Sequence, residues 1–321
     1  MNSHEKHTVI VVGAGMAGLV AARKLRASGR PVVVLDKGRG VGGRIATRRI
    51  EDATFDHGAQ FFTIRDPDFE RLAAEWITAG AAAEWCHGFG QGADGHLRFR
   101  GAPAMNAIAK HLAAGLNIRT EAKVVSIYLE PDGWRVRLEN GQTLAAGSLL
   151  LTAPVPQSLA LLETGGVKLP AELERELKSI TYDCCLAVMV RLVERSALKW
   201  PGALQLNSEP IAWLADNQIK GVSVTPSVTI HAGAKFSSAN WDRDRQDVGR
   251  ELLAAARTHI GSAVKDFQVH GWRYSKPIML HRERCVVAMR QPLLVLAGDA
   301  FGAARVEGAA LSGLAAATVL L

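Results

Sequence analysis

Cysteine is scarce in this chain. The four cysteines, Cys86, Cys184, Cys185 and Cys285, form no CxxC pair and have no histidine at ligand spacing. That excludes a disulfide-stapled small fold and a zinc site, so no metal is expected, and it fits a reducing compartment. Aromatic residues are only 6% of the total, and no zinc or helix-turn-helix signature accompanies the short basic clusters Arg48-Arg49 and Arg243 with Arg245. Nucleic acid is therefore not an expected partner. No GxSxG elbow supports a nucleophilic triad. No repeat of fixed period and no low-complexity segment is present, which sets aside solenoids. The polar opening residues run straight into a short apolar stretch, Thr8 to Val12. Neither a cleavable signal nor a membrane span is expected there, and the expected location is the cytoplasm.

What the chain does have is ordinary globular composition, with 48% hydrophobic and 21% charged residues. Its 321 residues exceed the usual single domain, so one large or two intertwined units are expected. The formal net charge of +7 suits nucleic acid, an anionic membrane or a phosphate-bearing small molecule, and charge alone does not choose.

The informative segments lie near the two ends. Thr8 to Val12 is a β-branched run, followed by a glycine turn, a helical pattern from Leu19 to Ser28 and a second apolar run from Pro31 to Leu35. This reads as strand, turn, helix, strand. In the middle, Lys123 to Glu130, Trp134 to Glu139 and Gln142 to Ala145 read as an antiparallel meander with turns at Pro131-Asp132-Gly133 and Asn140-Gly141, before a buried strand from Ser148 to Thr152. Between about 166 and 284, strands at Cys184 to Val193, Ser227 to His231 and Phe267 to Tyr274 alternate with helices near 171–179 and 242–260. Leu293 to Ala297 restores a buried strand and Glu307 to Leu321 a terminal helix. The expected fold is α/β: a discontinuous Rossmann-type domain from 1–65, 101–165 and 285–321, and a second domain of mixed β-sheet plus helices from 66–100 and 166–284.

Gly13-Ala14-Gly15-Met16-Ala17-Gly18 is a GxGxxG fingerprint with both flanking elements and an acid, Asp36, 18 residues past its third glycine. Gly13 serves the tight turn, Gly15 the close approach of a pyrophosphate, and Gly18 the packing of helix on strand. Asp36 suits a ribose diol. It would repel a 2′-phosphate, an objection that Lys37 and Arg39 soften.

Further motifs separate a flavoprotein from a nicotinamide dehydrogenase. They are Gly42-Gly43-Arg44, Phe55-Asp56-His57-Gly58-Ala59-Gln60, Leu151-Thr152-Ala153-Pro154, Gly298-Asp299-Ala300-Phe301-Gly302 and Val306-Glu307-Gly308-Ala309-Ala310. Together they resemble the FAD-binding motifs of the superfamily that contains the amine oxidases and phytoene desaturases. The resemblance implies non-covalent FAD. It would be held by Gly13, Gly15, Met16, Ala17, Gly18, Asp36, Lys37, Gly43, Arg44, His57, Gly58, Ala59, Gln60, Thr152, Gly298, Asp299, Val306, Glu307 and Ala310, with the backbone of Val125 on the adenine. Arg44 would neutralise the pyrophosphate and Asp299 would bind a ribityl hydroxyl. The last helix would stabilise charge on the reduced ring.

Within the superfamily, the run from Lys37 to Arg49, Asp56 to Gln60, Gly271-Trp272-Arg273-Tyr274 and Gly298 to Gly302 are similar to the renalase-like proteins. That implies an oxidase of misreduced dihydronicotinamide dinucleotides, chiefly the 1,2-dihydro isomer. Hydride would pass to flavin N5 and electrons to O2, yielding NAD(P)+ and H2O2. Asn217, His231 and Trp272 are catalytic candidates by this resemblance, and Arg305 is a fourth by its departure from the amine-oxidase pattern: Trp272 would stack, Asn217 would hold a carboxamide, and His231 would fix the pose or supply positive charge. The plainer alternatives are a core tryptophan and a structural histidine. Arg305 stands where amine oxidases carry an aromatic cage wall, and a cation there disfavours an ammonium substrate, unless it turns to solvent or to Glu307. Competing functions are a flavin amine oxidase or desaturase and a non-catalytic flavin-binding protein.

Overall fold

A computed structural model describes residues 5, 7–89 and 94–321. Along the chain come β1 (Val9–Val12), α1 (Met16–Ala27), β2 (Val32–Leu35), β3 (Thr47–Ile50), β4 (Ala53–Asp56), α2 (Pro67–Thr78), β5 (Ala82–Cys86), β6 (Arg98–Gly101) and α3 (Asn106–Ala113). Next are β7 (Ile118–Arg119), β8 (Val124–Glu130), β9 (Gly133–Leu138), β10 (Thr143–Ala146), β11 (Ser148–Leu151), α4 (Val155–Thr164), α5 (Ala171–Lys178) and β12 (Tyr182–Leu192). The remainder are β13 (Ala203–Gln205), β14 (Ile211–Asp216), β15 (Ser227–Ala232), α6 (Ala234–Ala239), α7 (Arg245–Ile260), β16 (Val264–Pro277), β17 (Val286–Arg290), β18 (Leu293–Leu296) and α8 (Val306–Leu320). Two compact units result: Met1–Gly43, Ala109–Thr181 and Pro277–Leu321 form the first, Arg44–Ile108 and Tyr182–Lys276 the second.

The first unit is built on a six-stranded sheet in the order β17-β18-β11-β1-β2-β7, parallel except for the edge strand β17. The four-residue runs of β1, β2, β11 and β18 are apolar almost throughout, as strands covered on both faces must be. Helices α1 and α8 pack together closely, and a Cβ at Gly313 would overlap the backbone of Ala17. The meander is a separate antiparallel sheet in the order β10-β9-β8, anchored by fully buried Trp134, whose Nε1 donates to the carbonyl of Leu293 at 3.1 Å.

The second unit has a five-stranded sheet in the order β13-β14-β15-β12-β16. Helix α7 covers one face. Val248, Leu252, Ala256 and Ile260, four residues apart, form its inward stripe against Leu186, Val188, Val190 and Ile230. The helix begins at 245 rather than 242 because the Asp244 carboxylate caps it, accepting from the N–H groups of Gln246 and Asp247. On the opposite face the β3–β4 hairpin places Ile50, Ala53 and Phe55 against Met189. This packing puts residues 44–65 in the second unit, where the sequence pattern groups them with the Rossmann segments. Residues 277–284 join the first unit through hydrogen bonds from Ile278 N to Thr181 O and from His281 N to Ala300 O.

Candidate active site

In the first unit, β1 runs into Gly13 at φ +113°, and a Cβ there would come 2.6 Å from the Thr152 hydroxyl. A Cβ at Gly18 would overlap the carbonyl oxygen of Gly13. Thr152 Oγ1 lies 3.0 and 3.1 Å from the carbonyl oxygens of Val12 and Gly13, its single proton serving one of them. Gly15 is different: nothing lies within 4 Å of the position its Cβ would take. It stands at the N-terminus of α1, which has no side-chain cap and no acid in its first turn, and it bridges to Gly42, next to Gly43. Uncapped N–H groups facing a space that only glycine leaves open form a cradle for a pyrophosphate. Met16, Ala17 and Gly18 form the buried first turn.

Asp36 accepts from Ala14 N at 2.6 Å with one carboxylate oxygen and from Gly38 N at 2.7 Å with the other, so it fastens the glycine turn to the next loop. Each oxygen keeps a second lone-pair direction, enough for a ribose diol. Lys37 is exposed. Val125 occupies a register shift between Val124 and Ser126, a bulge that leaves its backbone without a partner in the β8–β9 ladder. At the C-terminal motif, Gly298 N donates to Ser312 Oγ at 2.8 Å, Asp299 is partly buried, and α8 starts without a side-chain cap. Val306 is partly buried and Ala310 fully so. Arg305 turns its Nε to the buried Glu307 carboxylate at 2.8 Å. The pair joins the N-cap residue to the first turn of α8, so Arg305 is not the unattached cation that its position in the motif suggests.

In the second unit, the carbonyl of His57 is the focus. It accepts the indole N–H of Trp272 at 2.8 Å and lies 3.1 Å from His231 Nε2. A carbonyl only accepts, so His231 carries its proton on Nε2 and presents Nδ1 as an acceptor. The rings of His57 and Trp272 stack with centroids 5.2 Å apart, and His270 meets both edge-on. Burial is the first cause holding all three imidazoles neutral: His57 is pushed down to about 3, helped by His270 and Arg48; His231 to about 4, helped by Lys220; and His270 to about 4, helped by Arg48 and Arg245. His231 is thus an uncharged hydrogen-bonding group, where the resemblance allowed a cation.

Two of the proposed contact residues hold the scaffold. Asn217 is wholly buried; its Oδ1 accepts from Asp56 N at 3.2 Å and its Nδ2 donates to Thr229 Oγ1 at 3.0 Å, so its amide is committed inside the unit. Gln60 donates to the carbonyls of Asp56 and Gly58 at 2.6 and 3.2 Å. Arg44 lies beside the carbonyls of Tyr274 and Ser275, and its own carbonyl accepts from Ala59 N at 2.8 Å. A Cβ at Gly58 would overlap that same carbonyl.

One feature has no signal in the sequence pattern. Lys220 Nζ reaches Asp56 Oδ2 at 2.9 Å with both side chains 0% exposed. Asp56 Oδ1 accepts from Thr47 Oγ1 at 2.6 Å and Met105 N at 3.0 Å, and its carbonyl accepts from Thr229 and Gln60. Burial lowers the affinity of Lys220 for its proton and Asp56 opposes that. Lys220 also lies 5.0 Å from the ring centroid of Trp85, in an aromatic cluster with Phe61, Phe89 and Trp213. Asp56 directly precedes His57, so this buried pair fixes the carbonyl to which Trp272 and His231 attach. Among the described residues no group of three or more His, Cys, Asp or Glu side chains could hold a metal, and no helix is long and apolar enough to cross a membrane.

Residues 11–76 match the NAD(P)-binding Rossmann-like domain and residues 78–321 the flavin containing amine oxidoreductase family. Mouse (Mus musculus) renalase is 26% identical over 339 aligned positions, covering 97% of this chain and 98% of that protein. Putrescine oxidase bound to putrescine superposes with a TM-score of 0.71 at 15% identity over 98% of both chains. A putative protoporphyrinogen oxidase from Exiguobacterium sp. 255-15 does so at 0.70 and 13% over 99% of both. The chain is a flavin-dependent oxidoreductase and belongs to the flavin containing amine oxidoreductase family, as a renalase-like member.

Proposed function

We propose that this protein is a non-covalent FAD-dependent oxidase of dihydronicotinamide dinucleotides of the 1,2-dihydro type. FAD, when bound, takes a hydride from the dihydropyridine and passes two electrons to O2, which with two protons leaves as H2O2, the substrate departing as NAD(P)+. The first unit holds the cofactor: the Gly13–Gly18 turn and the α1 N-terminus take the pyrophosphate, Asp36 the ribose, the Val125 backbone the adenine, and Asp299 the ribityl chain. In the second unit, His57 and Trp272 offer a stacking surface for a nicotinamide ring, and His231 offers Nδ1 to its carboxamide.

The observation that carries the reading is the neutral imidazole cluster. With His57 at about 3 and His231 and His270 at about 4, these groups are weak bases at neutral pH. Oxidation of a dihydropyridine releases a hydride and needs no proton removed from a heteroatom. An amine must first be neutral. Aerobic turnover tests this: 1,2-dihydro-NAD is to give NAD+ and H2O2 in equal amounts, and production of peroxide from amines but not from dihydronicotinamides would overturn it.

A further inference from the structure

Among the described residues, Arg48 on β3, Arg245 at the start of α7 and Arg273 on β16 are arginines of the second unit that have no carboxylate partner. Other arginines of the unit do pair. Arg243 reaches Glu251 at 3.0 Å, Arg250 reaches Asp247 at 2.7 Å, and Arg191 bridges Asp52 and Asp266. The nearest acid in sequence, Asp244, is occupied in capping α7. Asp183, on the strand beside β16, forms no ion pair with them.

Arg245 and Arg273 are grouped by a shared contact. Arg245 and Arg273 both lie over Trp241, their guanidinium carbons 5.1 and 4.6 Å from its ring centroid. Gly271 makes room, since a Cβ there would come 2.9 Å from the Trp241 ring and 3.4 Å from Arg245 Nη2. Arg245 Nη1 is buried without a hydrogen-bond partner. Arg48 and Arg245 both act on His270, and Arg48 acts also on His57. Positive charge thus runs from Trp241 to the His57–Trp272 stack. Alternation along β16 sets His270 and Trp272 on one face and Gly271 and Arg273 on the other, and β16 is the terminal strand, so a ligand can pass round its open edge.

Grouped guanidinium groups without counter-charge repel one another, and stacking on an indole offsets only part of that. Their planar forks match phosphate oxygens. We infer that Arg245 and Arg273, aided by the charge of Arg48, bind the pyrophosphate bridge of the dinucleotide substrate. The inference rests on the function proposed above for the nicotinamide end, and it moves selection for an anionic substrate from Arg305 to this cluster.

The test compares 1,2-dihydro-NAD, the corresponding mononucleotide and the uncharged riboside with the holoenzyme and its Arg48→Gln, Arg245→Gln and Arg273→Gln variants. The preference in kcat/KM for dinucleotide over riboside is to fall roughly tenfold per substitution at Arg245 or Arg273, with the mononucleotide intermediate and Arg245→Lys recovering part of the loss. A preference unmoved in all variants would overturn the inference. A second arm titrates inorganic pyrophosphate into the holoenzyme by calorimetry. Binding that weakens in Arg245→Gln and Arg273→Gln supports the site even if no dihydronicotinamide is oxidised, which would refute only the proposed function. No pyrophosphate binding by the wild type would refute the site.

Discussion

Trp272 gives its indole N–H to the carbonyl of His57 at 2.8 Å while its ring stacks on the imidazole of the same residue, centroids 5.2 Å apart. The hydrogen bond fixes the plane of the ring and the stack fixes its height. Trp272→Phe keeps a ring and removes the N–H. Its unfolding free energy in urea is to drop by about 1 kcal/mol, and KM for a dihydronicotinamide is to rise more than kcat falls. Wild-type KM in a stably folded variant would remove Trp272 from the substrate surface.

The low imidazole pKa values make stability depend on acid. His57 at about 3 and His231 and His270 at about 4 all stand below the ordinary 6.5. Between those values the unfolded chain binds protons that the folded chain refuses. Their contribution is fully present above about pH 6.5 and is lost progressively as pH falls toward 4. Urea unfolding at pH 7.5 and 5.0 is to show this loss, and His270→Gln is to reduce it. An identical pH slope in the variant would contradict the assignment.

Lys220 and Asp56 are both fully buried, so removing one partner strands the other's charge. Lys220→Met is to destabilise by about 3–5 kcal/mol. The Asp56→Asn, Lys220→Met double variant is to lose less than the sum of the singles, as a double-mutant cycle by urea unfolding will measure. Additive losses would mean that the pair does not act as a unit.

Gly15 and Gly18 separate cofactor binding from folding. A Cβ at Gly15 meets nothing within 4 Å, whereas one at Gly18 overlaps the Gly13 carbonyl oxygen. Gly15→Ala is to leave the apoprotein's Tm near that of wild type and reduce the flavin retained on gel filtration; Gly18→Ala is to lower the apoprotein's Tm. Full flavin retention in Gly15→Ala would argue against the pyrophosphate cradle.

The cradle was legible because its signal is local. Gly13, Gly15 and Gly18 lie on one strand–turn–helix unit, Asp36 ends the adjacent strand, and four short apolar runs announce buried parallel strands. Val125 was singled out only through resemblance, and its bulge was not legible, since the register shift depends on the pairing partner. The second unit was far less legible. Lys220 sits in a polar stretch that reads as surface, and its partner Asp56 is 164 residues away, so only the fold reveals the pair. Asn217 and His231 were found by resemblance, but their roles turned on burial: the Asn217 amide is consumed by Asp56 and Thr229, and His231 is uncharged. Strand β13 and the hairpins β3–β4 and β5–β6 are too short or too polar to show a period, and β14 is apolar almost throughout and shows no alternation.

Anaerobic single-turnover mixing of the holoenzyme with isomerically defined dihydro-NAD, followed by flavin absorbance from pH 6 to 9, tests the central claim most directly. Bleaching by the 1,2-dihydro isomer at a rate nearly independent of pH is the predicted result, with amines leaving the flavin oxidised. Bleaching by an amine, steeply dependent on pH and with no response to any dihydronicotinamide, would contradict it.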